Sequence, residues 1–204
     1  MRCFPMCVNI ENEMVFLVGN GPAAVKKLER LQAFGAVIRW FRGIGETRAE
    51  EKEEQLFGEA LASTESNNPY LIVEPRKLAE ADLLSYPVFV VAAGLEEKEG
   101  QRVSLLCKMH NIPVNVEDMP KLCTFYFPAI INRGVFTMSI STGGRCPMAA
   151  AVLKQHFEEQ IPEDMDEKLE RICEIREQLK SEISDPEERK SVLRQEVYRI
   201  LEEG

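Results

Sequence analysis

Met14 to Val18 reads M-V-F-L-V and stops at Gly19-Asn20-Gly21-Pro22-Ala23-Ala24, and this junction constrains the chain more than any other feature. A short, unbroken apolar run bounded by glycine is the pattern of a strand buried on both faces. After the glycines, Ala24, Val25, Leu28, Leu31 and Phe34 recur at helical spacing until Gly35, which stands in a C-cap position. Ala36 to Phe41 then returns as a second strand. Strand, glycine turn, helix, strand is the opening βαβ unit of a doubly wound sheet.

The rhythm continues. Tyr70 to Val73, Val88 to Ala93 (V-F-V-V-A-A) and Ile112 to Val116 are strand-like, with short helical patterns at Leu78 to Leu84 and Gln101 to His110 between them. Such alternation predicts an α/β fold with a mainly parallel sheet. The polar stretch Gly43 to Asn68, Glu-rich over 46 to 59, reads as a surface segment with a helix around Arg48 to Ala62. Beyond about residue 116 the pattern changes. Phe125 to Ile131 and Gly134 to Ile140 are β-prone runs joined by Asn132-Arg133-Gly134, a turn signal. Pro147 to Phe157 is helical by pattern, and Met165, Leu169, Ile172, Cys173, Leu179 and Ile183 form an amphipathic stripe. Asp185-Pro186-Glu187-Glu188 starts a last helix, with an N-cap followed by proline at the first helical position.

Charge and cysteine content narrow the function. The net charge of −9 argues against general nucleic-acid binding. The acidity belongs to the tail, where Phe157 to Gly204 holds 8 Lys and Arg against 16 Asp and Glu. A near-neutral front half can still offer basic pockets to an anion. No apolar run approaches the roughly 20 residues of a membrane span, and the N-terminus lacks the apolar stretch of a signal peptide, so a cytoplasmic protein is expected. Six cysteines (3, 7, 107, 123, 146, 173) form no C-x-x-C pair, and with His110 and His156 they match no structural zinc spacing. No metal site is expected, and the cysteines read as reduced, mostly buried small hydrophobes, with Cys3 and Cys7 as the alternative thiol pair for metal scavenging.

G-x-G-x-x-A at Gly19, Gly21 and Ala24 follows a strand and opens a helix, the context in which this pattern signals dinucleotide binding. Glycine allows the tight turn and close approach of a pyrophosphate, and the helix N-terminus supplies N–H groups and partial positive charge. The acid that usually holds a ribose 2′-hydroxyl, about 20 residues on, is missing. Ile38-Arg39-Trp40-Phe41-Arg42 stands there, so Arg42 is a candidate for a 2′-phosphate and NADP stays open beside NAD. The alternative is that Arg39 and Arg42 are solvated residues beside a packed Trp40.

Taken in order, F-P-M-C-V-N-I at 4 to 10, V-G-N-G-P-A-A at 18 to 24, V-V-A-A at 90 to 93, I-P-V-N-V-E-D at 112 to 118, F-P-A-I-I-N-R-G at 127 to 134 and S-I-S-T-G-G-R-C-P-M at 139 to 148 resemble the precorrin-2 dehydrogenase and sirohydrochlorin ferrochelatase family, which also forms the N-terminal part of siroheme synthases. The resemblance runs from residue 4 to about 200. It implies a Rossmann-like dinucleotide-binding domain (1–117), a dimerisation segment (118–150) and a small C-terminal helical domain (151–204). With nothing after Gly204, a stand-alone form is expected. The implied activity is oxidation of the tetrapyrrole precorrin-2 to sirohydrochlorin with NAD as acceptor, NADP not excluded, and insertion of ferrous iron as a substrate is a possible second step.

The same resemblance implies the site. Gly19, Asn20, Gly21, Pro22, Ala23 and Ala24 would hold the nucleotide together with Arg42, with Ala93 and Gly94 beside the nicotinamide, and Asp118 matches the family's catalytic aspartate. A carboxylate past a strand end can accept a proton in both steps; the competing role for Asp118 is a turn cap before Pro120. Arg133, Ser141, Thr142, Gly143, Gly144 and Arg145 are candidates for the carboxylates of the substrate. Their alternatives are an ordinary surface turn and an ordinary approach to the Pro147 helix. Three positions depart from the family pattern: Asn20 replaces a glycine, Gly94 a frequent Thr and Gly100 a frequent Asn. The last two remove side-chain hydrogen-bonding groups, and a non-catalytic, nucleotide-sensing or interaction protein that keeps the fold is the competing reading. Homodimerisation through residues 118 to 150 is expected, since two β-prone runs outside the parallel sheet would leave open edges and apolar faces.

Overall fold

The computed structural model describes residues 3–43 and 70–202. The Glu-rich segment and the helix expected at Arg48 to Ala62 lie outside the described residues. Five parallel strands, β1 (Met14–Val18), β2 (Val37–Phe41), β3 (Leu71–Glu74), β4 (Val90–Ala92) and β5 (Val114–Val116), lie in the order β3-β2-β1-β4-β5. The chain fills one side of β1 by way of helix α1 (Gly21–Gln32) and then crosses to the other side, returning from β4 to β5 through α2 (Glu97–Met109). The order therefore reverses between β1 and β4, and the crevice for ligands in a doubly wound sheet opens at that point, beyond the carboxyl ends of the strands.

The apolar runs are continuous because both faces of the sheet are covered. Ala24, Leu28 and Leu31 of α1 are buried as this helix packs on β1 and β2. On one face Phe16, Val18, Phe41, Val90, Ala92, Val114 and Val116 join Val103 and Cys107 of α2, with Leu78 and Leu83 closing the cluster. Burial pushes the Cys107 thiol up to about 12, so it stays protonated in that core. The other cysteines correct the expectation of mostly buried thiols. All six are free, Cys123 is half-buried, and Cys3, Cys7, Cys146 and Cys173 are exposed, because they sit on the N-terminal arm, ahead of a helix and on an outer helix face rather than on the sheet.

Two elements differ from their expected form. Leu78 to Leu84 is a 3-10 helix over Glu80–Ser85 that ends on Tyr86 in the left-handed region (φ 51°). α2 begins at Glu97, before the expected Gln101, and runs straight through Gly100. A Cβ at Gly100 would lie 2.9 Å from the Met119 sulfur and 3.1 Å from Val116 Cγ1, so this glycine brings the helix close to β5 instead of breaking it.

Two compact units emerge, Phe4–Tyr126 and, beyond it, residues 127–202. The first continues past Glu117 because side chains sew the returning segment onto β5, as detailed below. In the second unit β6 (Ala129–Arg133) and β7 (Phe136–Ile140) form an antiparallel hairpin, followed by α3 (Pro147–Glu158), α4 (Met165–Glu182) and α5 (Pro186–Glu202). Gly134 turns the hairpin at φ 60°, and a Cβ there would overlap the Asp166 carboxylate, whose Oδ1 accepts the Val135 N–H at 2.6 Å. Asp185 caps α5 as expected, accepting the N–H groups of Glu187 and Glu188. The stripe on α4 is thinner than expected: Leu179 is buried, Cys173 is exposed, and Lys168 takes a buried place through its ion pair with Asp164.

Polar groups hold the β2–β3 side of the sheet. Arg39 donates to Glu74 Oε1 through Nε (2.9 Å) and Nη2 (2.6 Å), and Arg76 takes both oxygens of Asp82 at 2.8 and 2.7 Å. Arg39 is therefore structural rather than solvated. The Arg76 hydrogen bonds hold the Asp82 carboxyl below its ordinary value against the opposing effect of burial, with the Ala79 N–H and Arg39 adding to the shift. A carboxyl with a depressed folded pKa stabilises the protein fully above its unfolded value of about 4, and this contribution is lost as pH falls through the folded pKa. Asp82→Asn should therefore cost roughly 2–3 kcal/mol at neutral pH, the scale of charge-assisted hydrogen bonds. Urea denaturation should show that difference shrinking below about pH 4; an equal difference at acid and neutral pH would refute this role.

Candidate functional site

At the reversal point the ends of β1 and β4 approach backbone to backbone. Gly19 (φ 120°) donates its N–H to the Phe41 carbonyl at 2.9 Å, and its own carbonyl accepts the Trp40 indole N–H at 2.8 Å. A Cβ at Gly19 would overlap the Ala93 carbonyl oxygen, and one at Gly94 (φ 66°) would overlap the carbonyl oxygen of Asn20. Gly94 is thus demanded by the turn it faces, whatever functional group a threonine would bring. Ala93 is buried beneath this contact and Gly94 is exposed above it.

Gly21 behaves differently. It opens α1 at φ 78°, and a Cβ built there meets nothing within 4 Å, so the space in front of the helix is open. Pro22 is the second residue of α1, where it lacks only an N–H with no intrahelical duty. No side chain caps the helix start and no acid lies in its first turn. Ala24 is fully buried, so the helix sits close to the strand. Open space, uncapped amides and the positive end of a helix dipole fit a pyrophosphate. Asn20 adds a tie: its amide Nδ2 donates to the carbonyls of Arg42 and of Gly43 (3.0 Å), and Arg42 Nε donates to Asn20 Oδ1 at 3.3 Å. The Arg42 guanidinium lies over the Trp40 ring, 5.3 Å from its centroid.

Asp118 stands on the same edge of the sheet. The Glu117 N–H bonds to the Ala92 carbonyl at 2.9 Å, placing the end of β5 beside the end of β4. Asp118 follows, exposed and at φ 58°, in a turn closed by the Met119 N–H on the Val116 carbonyl at 3.3 Å. Its carboxylate has no hydrogen-bond or ion-pair partner among the described residues, and the 3-10 turn Pro120–Leu122 has no side-chain cap. The turn-cap role therefore has no bond to rest on. Glu117 pairs with Lys27 at 3.7 Å. The loop is sewn back by residues that the sequence pattern did not single out. Cys123 Sγ accepts the Val116 N–H at 3.1 Å, Thr124 Oγ1 accepts the Val114 N–H at 2.8 Å, and Asn115 Nδ2 donates to the Phe125 carbonyl at 3.0 Å. A cysteine, a threonine and an asparagine scattered along a strand and a loop carry no spacing signal, so only the fold reveals them.

The other candidates belong to the second unit. Arg133 ends β6 and pairs with Glu158 at 3.7 Å; its Nε is buried without a hydrogen-bond partner. In the loop ahead of α3, Gly143 (φ 63°) donates to Ser141 Oγ at 3.2 Å, and Thr142 Oγ1 accepts the Cys146 N–H at 3.2 Å. A Cβ at Gly144 (φ 75°) would meet nothing, and Arg145 is exposed. Arg133 is paired rather than a loose surface charge, whereas the 141–145 loop is organised by its own hydroxyls. His110 faces Glu80 at 3.0 Å and His156 faces the Gln160 amide at 2.9 Å. Among the described residues no cluster of three or more His, Cys, Asp and Glu can hold a metal ion.

Residues 6–129 match the family described as Putative NAD(P)-binding. The siroheme synthase of Azotobacter vinelandii is 32% identical over 162 residues, covering 79% of this chain and 32% of that protein. The siroheme synthase of Methylobacillus flagellatus is 28% identical over 190 residues, covering 93% of this chain and 38% of that protein. The chain thus spans about a third of the length of these relatives. The solved structure of SirC, precorrin-2 dehydrogenase, shares the fold with a TM-score of 0.56 at 22% identity, covering 97% of this chain and 98% of that one.

The two glycines separate packing from binding. Gly94→Thr, which restores the residue frequent in the family, should destabilise the protein by roughly 1–3 kcal/mol through strain and overlap with Asn20. Gly21→Val should cost roughly 1–3 kcal/mol for its positive φ, with no overlap adding to it, yet abolish nucleotide binding by filling the open space. Thermal melts and equilibrium dialysis with NAD and NADP would check both; a stable Gly94→Thr or a nucleotide-binding Gly21→Val would contradict the assignments.

Proposed function

This chain belongs to the NAD(P)-binding family matched over residues 6–129, and from that premise we propose that it catalyses the NAD(P)-dependent oxidation of precorrin-2 to sirohydrochlorin in siroheme formation. The observation that carries the reading is the placement of an uncapped carboxylate, Asp118, on the sheet edge that also holds the Gly19–Gly21 turn and the β4 end. Siroheme synthases are the relatives it matches, and SirC shares its fold.

The chain's residues divide the work. The amides at the start of α1 and the glycine turn bind and orient the pyrophosphate, while Ala93 and Gly94 border the nicotinamide, the group that accepts the hydride when bound. Oxidation removes one hydride and one proton from the substrate. Asp118 accepts that proton, and its exposed position lets it pass the proton to water. Arg133, Arg145, Ser141, Thr142 and the Gly143 and Gly144 amides supply donors for the carboxylates of a tetrapyrrole. In a second step, insertion of ferrous iron as substrate, the metal replaces two pyrrole N–H protons, and Asp118 is again the acceptor. Of the glycine departures that favour a non-catalytic protein, Gly94 has a packing reason in the Asn20 carbonyl it faces, which supports the catalytic reading over that alternative.

We also propose that the protein acts as a homodimer through the hairpin and the segment that follows. Val135, Met148 and Val152 are 72%, 72% and 58% exposed, and α3 buries only Ala150. A second copy would cover such apolar side chains. Light scattering at micromolar concentration should give twice the chain mass; a monomer would refute the dimer.

Asp118→Asn keeps the shape of the side chain and removes its basicity. Dehydrogenation, followed as NADH or NADPH formation with precorrin-2, should fall by roughly 10² to 10⁴ for a lost general base, with iron insertion falling alongside and nucleotide affinity unchanged. Full activity in this variant would overturn the assignment of Asp118.

A further inference from the structure

We infer that Cys123 is a positioning residue for the Asp118 carboxylate: its thiol, backed by Asn115, ties both ends of the turn that carries Asp118. The inference rests on the reading that Asp118 accepts the substrate's proton, and it deepens that reading by naming what fixes the acceptor in place. β5 is an edge of the parallel sheet, so the N–H and C=O groups on its outer side have no neighbouring strand. The returning segment takes them instead. Thr124 Oγ1 accepts the Val114 N–H at 2.8 Å, and the Val114 carbonyl accepts the Thr124 N–H at 2.8 Å. At Val116 a sulfur stands in that place. Cys123 Sγ accepts the Val116 N–H at 3.1 Å and donates to the Val116 carbonyl at 3.1 Å.

The same sulfur reaches the far end of the turn. Val116 to Met119 is closed by the Met119 N–H on the Val116 carbonyl at 3.3 Å, and Cys123 Sγ lies 3.4 Å from the Met119 carbonyl, a second acceptor for its proton. First and last residue are thus tied to one atom. The residue between them needs such a tie. Asp118 sits at φ 58°, in the left-handed region, where a residue with a Cβ is strained and persists only because its surroundings over-determine it. Its carboxylate gives no hold, having no partner among the described residues. Glu117, the other central residue, is fixed by its N–H on the Ala92 carbonyl, so on the Asp118 side the turn is tied to β5 through the thiol and the Met119 N–H. Asn115, only 7% exposed, backs the sulfur: its Nδ2 lies 3.7 Å from Sγ and donates to the Phe125 carbonyl at 3.0 Å, which keeps the segment beyond Cys123 against the strand.

A double-mutant cycle tests this, read in the full-length protein as NADH or NADPH formation with precorrin-2. Cys123→Val keeps an apolar side chain of similar size and removes the bonds of the thiol. Its kcat should fall roughly 10- to 100-fold, the cost of a small misplacement of a reacting group, with KM and nucleotide affinity unchanged because only the transition state uses the acceptor. Cys123→Ser again accepts and donates on one atom and should recover most of the loss. In the Asp118→Asn background the misplaced group has no basicity left to lose, so adding Cys123→Val should barely change kcat. Melts followed by circular dichroism set an assay temperature at which each variant is folded, with Cys123→Ala taking the place of a valine variant that does not fold. A fully active Cys123→Val, or an equal loss of rate with and without Asp118→Asn, would overturn the positioning role while leaving Asp118 as the acceptor. Full activity in Asp118→Asn alone removes the reading of Asp118, and the positioning role falls with it.

Discussion

The approach of the β1 and β4 ends is the constraint on which the rest of the structure depends. Two backbones meet there with no room for a side chain on either, Gly19 against the Ala93 carbonyl and Gly94 against the Asn20 carbonyl. Any Cβ would push the two strand ends apart at the place where the sheet reverses its order. Because they touch, the start of α1, the β4 turn and, through the Glu117 N–H on Ala92, the end of β5 share one edge. The candidate chemistry of the first unit is a consequence of that contact: a helix start with nothing capping it, open space at Gly21, and a carboxylate one residue past the last strand bond.

Around this edge the protein fixes its loops with side chains rather than with longer secondary structure. Strands β4 and β5 are three residues each, too short to hold a loop in place alone. Cys123, Thr124 and Asn115 therefore return the 117–125 segment to β5, and the Asp118 turn is held at its base while its carboxylate faces solvent. Asn20 does the same between the first turn and β2. Polar side chains that bond to backbone carry little energy individually, about 1 kcal/mol each, but several in one loop determine its path.

The second unit obeys a different logic. Its hairpin and three helices bury few residues, with Ile131, Leu179 and Ile200 among them, and its turn is fixed by the Asp166 carboxylate under Gly134. Its polar loop at 141–145 is organised internally by Ser141 and Thr142, which leaves the two glycine amides on a defined backbone path.

Much of the fold was legible in the chain itself because its signals are local. A buried parallel strand requires an unbroken apolar run, and a tight turn at a strand end requires glycine, so residues 14–41 and the strands near 71, 90 and 114 could be placed from residue type alone. The Asp185 cap and the Gly134 turn were legible for the same reason. Tertiary contacts decided the rest. Gly94 and Gly100 look like lost functional groups in one dimension, yet Gly94 faces a carbonyl too close for a Cβ and Gly100 lies tight against Met119 and Val116, and no spacing rule contains those distances. The clip at Cys123 and Thr124, the engagement of Glu74 by Arg39 and Arg76, and the exposure of four cysteines likewise depend on which segments the sheet order brings together. Composition and periodicity determine which residues prefer to be buried or turned; which of them meet is set by packing between segments far apart in the chain.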